Sequence, residues 1–165
     1  MNRRVFLQAA SGAAIAAAQD TQSLYPHIEK QHEENVRRLQ SWIRQPSIAA
    51  ENRGMQEGCD MMMRLLQEAG FGSVSTVTSK GQPAVFGTLD AGAPRTIGLY
   101  FMYDVKQVDP SEWTSPPWEA ALVDRPLGKV LIGRGAVNQK GPQSAFLAAL
   151  HAFKAVAGSY PSTWC

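Results

Sequence analysis

Long basic runs are missing from this sequence, and so are stretches that interleave Lys or Arg with aromatic rings; the net charge is only +2. A nucleic-acid partner is therefore not expected. Cysteine is scarce: Cys59 and Cys165 are the two present, and they match no metal-binding spacing. Cys59 falls within an apolar helical pattern and reads as a small core residue. No apolar run is long enough to span a membrane. No internal repeat is visible. Charged residues are only 18% of the chain, whereas hydrophobic residues make up 44%. In 165 residues that suffices for one domain with a real core.

The first residues stand apart from the rest. Arg3 and Arg4 precede Val5, Phe6 and Leu7; a weakly apolar small-residue stretch follows, and Ala16 to Ala18 offer a cleavage site. This order of charge, apolar core and small residues predicts a twin-arginine export signal over residues 1–18, hence a periplasmic destination.

Residues 22–45 predict one long helix, with Tyr25, Ile28, Val36, Leu39, Trp42 and Ile43 at helical spacing and Pro46 as its stop. His27 and His32 lie five apart on it and read as solvent-facing. Residues 53–70 predict a second helix with Met55, Cys59, Met62, Leu65 and Leu66 on its apolar side. Strands are expected at 73–78 and 83–89, joined by the turn "KGQP". "TIGLYFM" (96–102) reads as a strand buried on both faces. Residues 103–126 read as a long irregular connection, residues 129–137 as a strand entering a glycine turn, and residues 140–156 as a helix. That order predicts a layered α/β domain. The tail "GSYPSTWC" (158–165) is expected to make no return to a sheet.

Two loops have chemical character. Asp104 follows the apolar run 96–102, at the carboxyl edge where α/β enzymes place functional groups. "GRGAVNQKG" (133–141) joins a strand to a helix, but its spacing is neither a Walker nor a dinucleotide pattern. Together "WIRQPSIAA", "DVKQVDP", "WTSPPWEA" and "GRGAVNQKGP", in this order, make residues 24–156 resemble the N-terminal part of the twentieth metallopeptidase family. That family comprises zinc-dependent aminoacylases, carnosine dipeptidases, glutamate carboxypeptidases and succinyl-diaminopimelate desuccinylases.

The resemblance implies a three-layer zinc-exopeptidase-like catalytic domain with a mixed sheet, present in part over residues 22–157. The lid and dimerisation domain of the family has no match here. It implies hydrolysis of peptide or N-acyl amide bonds, a small peptide or N-acyl amino acid as substrate, and zinc or another divalent metal as cofactor. Asp104 matches the aspartate of the family's His-x-Asp motif, which orients a metal-binding histidine through the ring nitrogen that faces away from the metal. Met102 falls at that histidine's position, and Asn138 at that of the aspartate bridging two metals. Lys140 and Gly141 match the turn that follows. The family's Glu-Glu pair, its further carboxylate and its late histidine have no counterpart before Cys165. A thioether is a soft, neutral donor and an amide carries no charge, so the resemblance predicts a weak or empty metal site. Three readings follow: a member or fragment of the hydrolase family without activity of its own, a relative that has lost its metals and serves as a binding or structural protein, or a truncated gene product.

Overall fold

The computed structural model describes residues 21–158 and 163–164. The expected export signal at 1–18 lies outside them, as does Cys165.

A short 3-10 turn at Thr21–Ser23 leads into helix α1 (Leu24–Lys30) and then α2 (His32–Arg44). The single helix expected across 22–45 is therefore two. Gln31 separates them with φ −92° and ψ 2°, outside the helical basin. Trp42 and Ile43, on the apolar stripe of α2, are fully buried. The chain leaves α2 through Gln45 in extended conformation, as the residue before Pro46 must.

Helix α3 (Met55–Glu68) buries Met55, Gly58, Cys59, Met62 and Leu65. The predicted hairpin is present: β1 (Ser73–Val77) pairs antiparallel with β2 (Ala84–Thr88), from Ser73↔Thr88 to Val77↔Ala84. Helix α3 packs on this hairpin. Helix α4 (Lys140–Ala157) packs on α1 and α2 and buries Leu147 and Leu150. The core joins these layers through Trp42, Met62, Leu65, Ala69, Phe71, Leu89, Leu147 and Leu150. Full burial of one large apolar side chain contributes about 1.5–3 kcal/mol.

Three further expectations need correction. The strand expected over 96–102 is only β3 (Thr96–Ile97). A strand persists only where a neighbour completes its hydrogen bonds. Among the described residues nothing pairs with 98–102, whose side chains Leu99, Tyr100, Phe101 and Met102 are exposed rather than buried on both faces. The connection expected to be irregular over 103–126 contains β4 (Ala121–Arg125), antiparallel to β5 (Gly128–Ile132). Pro126 and Leu127 form its two-residue turn, and Gly128 supplies the positive φ of +110° beside it. Lastly, the tail expected to make no return to a sheet contributes β6 (Thr163–Trp164), which pairs in parallel with β3, Thr96↔Thr163 and Ile97↔Trp164.

The architecture is α/β with parallel and antiparallel pairing. Among the described residues its strands lie in three two-stranded sheets, β1-β2, β3-β6 and β4-β5.

Candidate functional site

The first half of the candidate site is the segment from Met102 to Val105, tied down by the loop that follows α2. Ser47 is fully buried there. Its hydroxyl donates to the Tyr103 carbonyl at 2.6 Å, and its carbonyl accepts from the Val105 N–H at 2.8 Å. The Tyr103 hydroxyl donates to the Pro83 carbonyl at 2.6 Å. Burial pushes the Tyr103 phenol up to about 12, with Cys59 and Asp104 adding to the rise. Asp104 is half-buried between these anchors. Met102 keeps an exposed side chain, while its carbonyl accepts a hydrogen bond from Gln143 Nε2.

A cavity of about 490 Å³ opens beside this segment. Met102 and Asp104 line it together with Phe86, Phe101, Phe146 and Gln143. Asn138 is not among its lining residues.

The second half is the turn between β5 and α4. Gly135 holds φ at +91°, in the left-handed region that favours glycine. The Gly141 N–H donates to the Gly135 carbonyl at 3.0 Å, and a Cβ on Gly141 would lie 1.9 Å from the Ala136 carbonyl oxygen. Both glycines are thus required by the backbone path. The same turn straps down the long connection: the Arg134 N–H donates to the Pro117 carbonyl at 2.8 Å, its Nη2 donates to the Gln107 carbonyl at 2.9 Å, and its guanidinium lies 5.1 Å from the Trp113 ring centroid. Asn138 is exposed, and its Oδ1 accepts the Gln139 N–H at 3.0 Å.

Lys140 and Gln143, neither singled out by sequence as a site residue in its own right, join the two halves. Lys140 is fully buried. Its Nζ donates to the Trp42 carbonyl at 2.9 Å and to the Gln45 carbonyl, and sits 4.3 Å from the Trp42 ring centroid. Burial lowers its pKa to about 7. Gln143 Oε1 accepts the Trp42 indole N–H at 2.8 Å while its Nε2 donates to Met102. A signal for both was available in the sequence: Lys140, Gln143, Leu147 and Leu150 recur at the spacing of one helix face.

These residues do not fit the two zinc ions that the resemblance implies. A pair of dications needs an anion between them, and the Asn138 amide supplies none. The Met102 thioether is a poor zinc donor. It also has no ring N–H of the kind that the resemblance would have Asp104 orient. Among the described residues no group of three or more His, Cys, Asp or Glu side chains gathers around a point that could hold a metal.

The chain has relatives among known proteins. No family model matches it. Over 130 residues it is 33% identical to succinyl-diaminopimelate desuccinylase 2 of Shewanella loihica, an alignment covering 78% of this chain and 32% of that protein. Its structure resembles that of the M20 family metallo-carboxypeptidase Sso-CP2 from Sulfolobus solfataricus, with TM-score 0.70, 28% identity, and 79% of this chain against 29% of the other. Human carnosine dipeptidase 1 matches with TM-score 0.71 and 26% identity, over 87% of this chain and 33% of its own. The di-peptidase Dug1p of Saccharomyces cerevisiae, at 20% identity and TM-score 0.73, shares the fold.

The α/β frame is that of the zinc-exopeptidase class of catalytic domains. The chain is related to the M20 metallopeptidases, and it spans about a third of the length of these relatives.

Proposed function

We propose that this chain carries the N-terminal frame of a metal-dependent hydrolase for peptide or N-acyl amide bonds, and that by itself it does not perform that reaction. The family relationship supports the first half. The second is supported by one feature of the sequence: the two positions that the resemblance assigns to metal ligands hold Met102 and Asn138, whose side chains suit a zinc pair poorly. Without a bound cation to lower the pKa of water, no hydroxide nucleophile forms here at neutral pH by the family's route. A peptide or N-acyl amino acid remains the proposed substrate class of the complete fold. Calorimetry with zinc should show no tight stoichiometric site, and dipeptides and N-acyl amino acids should not be cleaved. Binding of two zinc ions, or metal-dependent turnover by the unaltered chain, would overturn the reading.

Export to the periplasm is part of the same proposal and rests on the paired arginines and the small-residue run of residues 1–18. Replacing Arg3→Lys together with Arg4→Lys should leave the protein in the cytoplasmic fraction. Undiminished export of that variant would remove the twin-arginine assignment.

A further inference from the structure

We infer that Lys140 and Gln143 are positioning residues: they form a buried polar strut that sets the Met102–Val105 segment in place relative to the 133–141 turn. The inference rests on the reading that these two segments are the reaction edge of the family fold, and its test is independent of metal.

The geometry accounts for every polar hydrogen involved on the lysine. An ammonium group has three N–H donors and no acceptor. Two of the three donors meet the carbonyls of Trp42 and Gln45 at the end of α2, and the face of the Trp42 ring, 4.3 Å away, takes the remaining side. None of these partners is an acid. The lysine therefore acts as a spacer between the start of α4 and the end of α2.

Gln143 does what few other side chains could do in its place. It lies one turn further along the same buried face and is 2% exposed. Its amide accepts from the Trp42 indole with one atom and donates to the Met102 carbonyl with the other. A carboxylate could only accept, and an ammonium could only donate. Trp42 is thereby held on its ring nitrogen, its ring face and its backbone carbonyl by two residues of one helix. Through Gln143 the same helix reaches Met102, and its own first turn begins two residues after Asn138. The buried amide N–H of Val105, bonded to Ser47, reports on whether the Met102 segment is held.

The test is amide and indole NMR on the full chain. Substituting Gln143→Glu keeps the acceptor for Trp42 and removes the donor to Met102. The Trp42 indole N–H resonance, identified by its loss in Trp42→Phe, should stay in place. Exchange of the Val105 amide should rise at least about tenfold, a loss of about 1.4 kcal/mol of local protection. The bonded amides of β1 should be unchanged. A general loosening would raise exchange in β1 as well, and that result, or an unchanged Val105 amide, would overturn the strut. Should Gln143→Glu fail to fold, Gln143→Met decides: it should move both the indole resonance and Val105 exchange with β1 unaffected, and a silent Val105 amide refutes the inference. Zinc binding plays no part in either readout, so failure here would leave the family reading standing.

Discussion

Lys140 is a cation enclosed where no carboxylate faces it. Water is gone from its surroundings, and the compensation comes from two helix-terminal carbonyls and a ring face. Desolvation lowers its pKa from 10.5 to about 7. An amine that gives up its proton more readily when folded binds fewer protons in the folded than in the unfolded state across that interval, so stability rises with pH there. The penalty for burying the charge is fully present below about pH 7 and is gone by about 10.5. Tyr103 acts in the opposite sense. Its pKa is raised from 10.0 to about 12, so the folded state keeps a proton the unfolded state has lost, and stability falls with pH over that range. Urea unfolding should therefore give a stability maximum near pH 10. The carbonyls and the ring favour the ammonium and offset part of the burial penalty, so we expect a rise of about 2 kcal/mol on the lysine limb rather than the full value of the shift. Lys140→Met should flatten that limb and leave the fall above pH 10. A flat profile in the unaltered chain between about pH 7 and 10 would show that the lysine keeps its charge at no net penalty.

At the scale of elements, legibility followed the range of the interactions. Helices α2, α3 and α4 and the β1-β2 hairpin were readable because periodicity, Pro46 and the turn "KGQP" are local signals. The Met102, Asp104 and Asn138 positions were proposed from motif spacing, which is a local signal too. Strand β4 was hidden by the prolines around it, and only its pairing with β5 defines it. Segment 98–102 failed in the other direction: its composition is that of a strand, but strand identity depends on a neighbour. Lys140 and Gln143 were visible as a helical stripe, yet their partners Trp42 and Met102 are 98 and 41 residues away. Hydrogen exchange tests the contrast between the two apolar segments. The bonded amides of Ser73–Val77 should be protected well above those of residues 99–101, which should exchange within about tenfold of unprotected rates. Equal protection of both would mean that 98–102 has found a strand partner.

At the scale of the molecule, the frame is built on one side and open on another. Leu99 is 42% exposed, Tyr100 85%, Phe101 41% and Met102 47%, and all four line the cavity beside β2. Contiguous apolar surface of this kind, along a segment that pairs with no strand among the described residues, invites association. The Phe101 ring keeps some cover from Phe146, at a centroid distance of 5.7 Å, so Leu99 and Tyr100 are the residues to alter without disturbing the core. The unaltered chain should sediment with a weight-average mass that climbs with concentration in the micromolar to millimolar range, where such surfaces aggregate. Leu99→Lys with Tyr100→Lys places two like charges on that edge, a device natural sheets use to prevent strand addition. That variant should stay monomeric over the same range, with its unfolding free energy within about 0.5 kcal/mol of the original because neither side chain is buried. A chain that is already monomeric, or a variant that associates as strongly as its parent, would show that the exposed segment is not the adhesive surface.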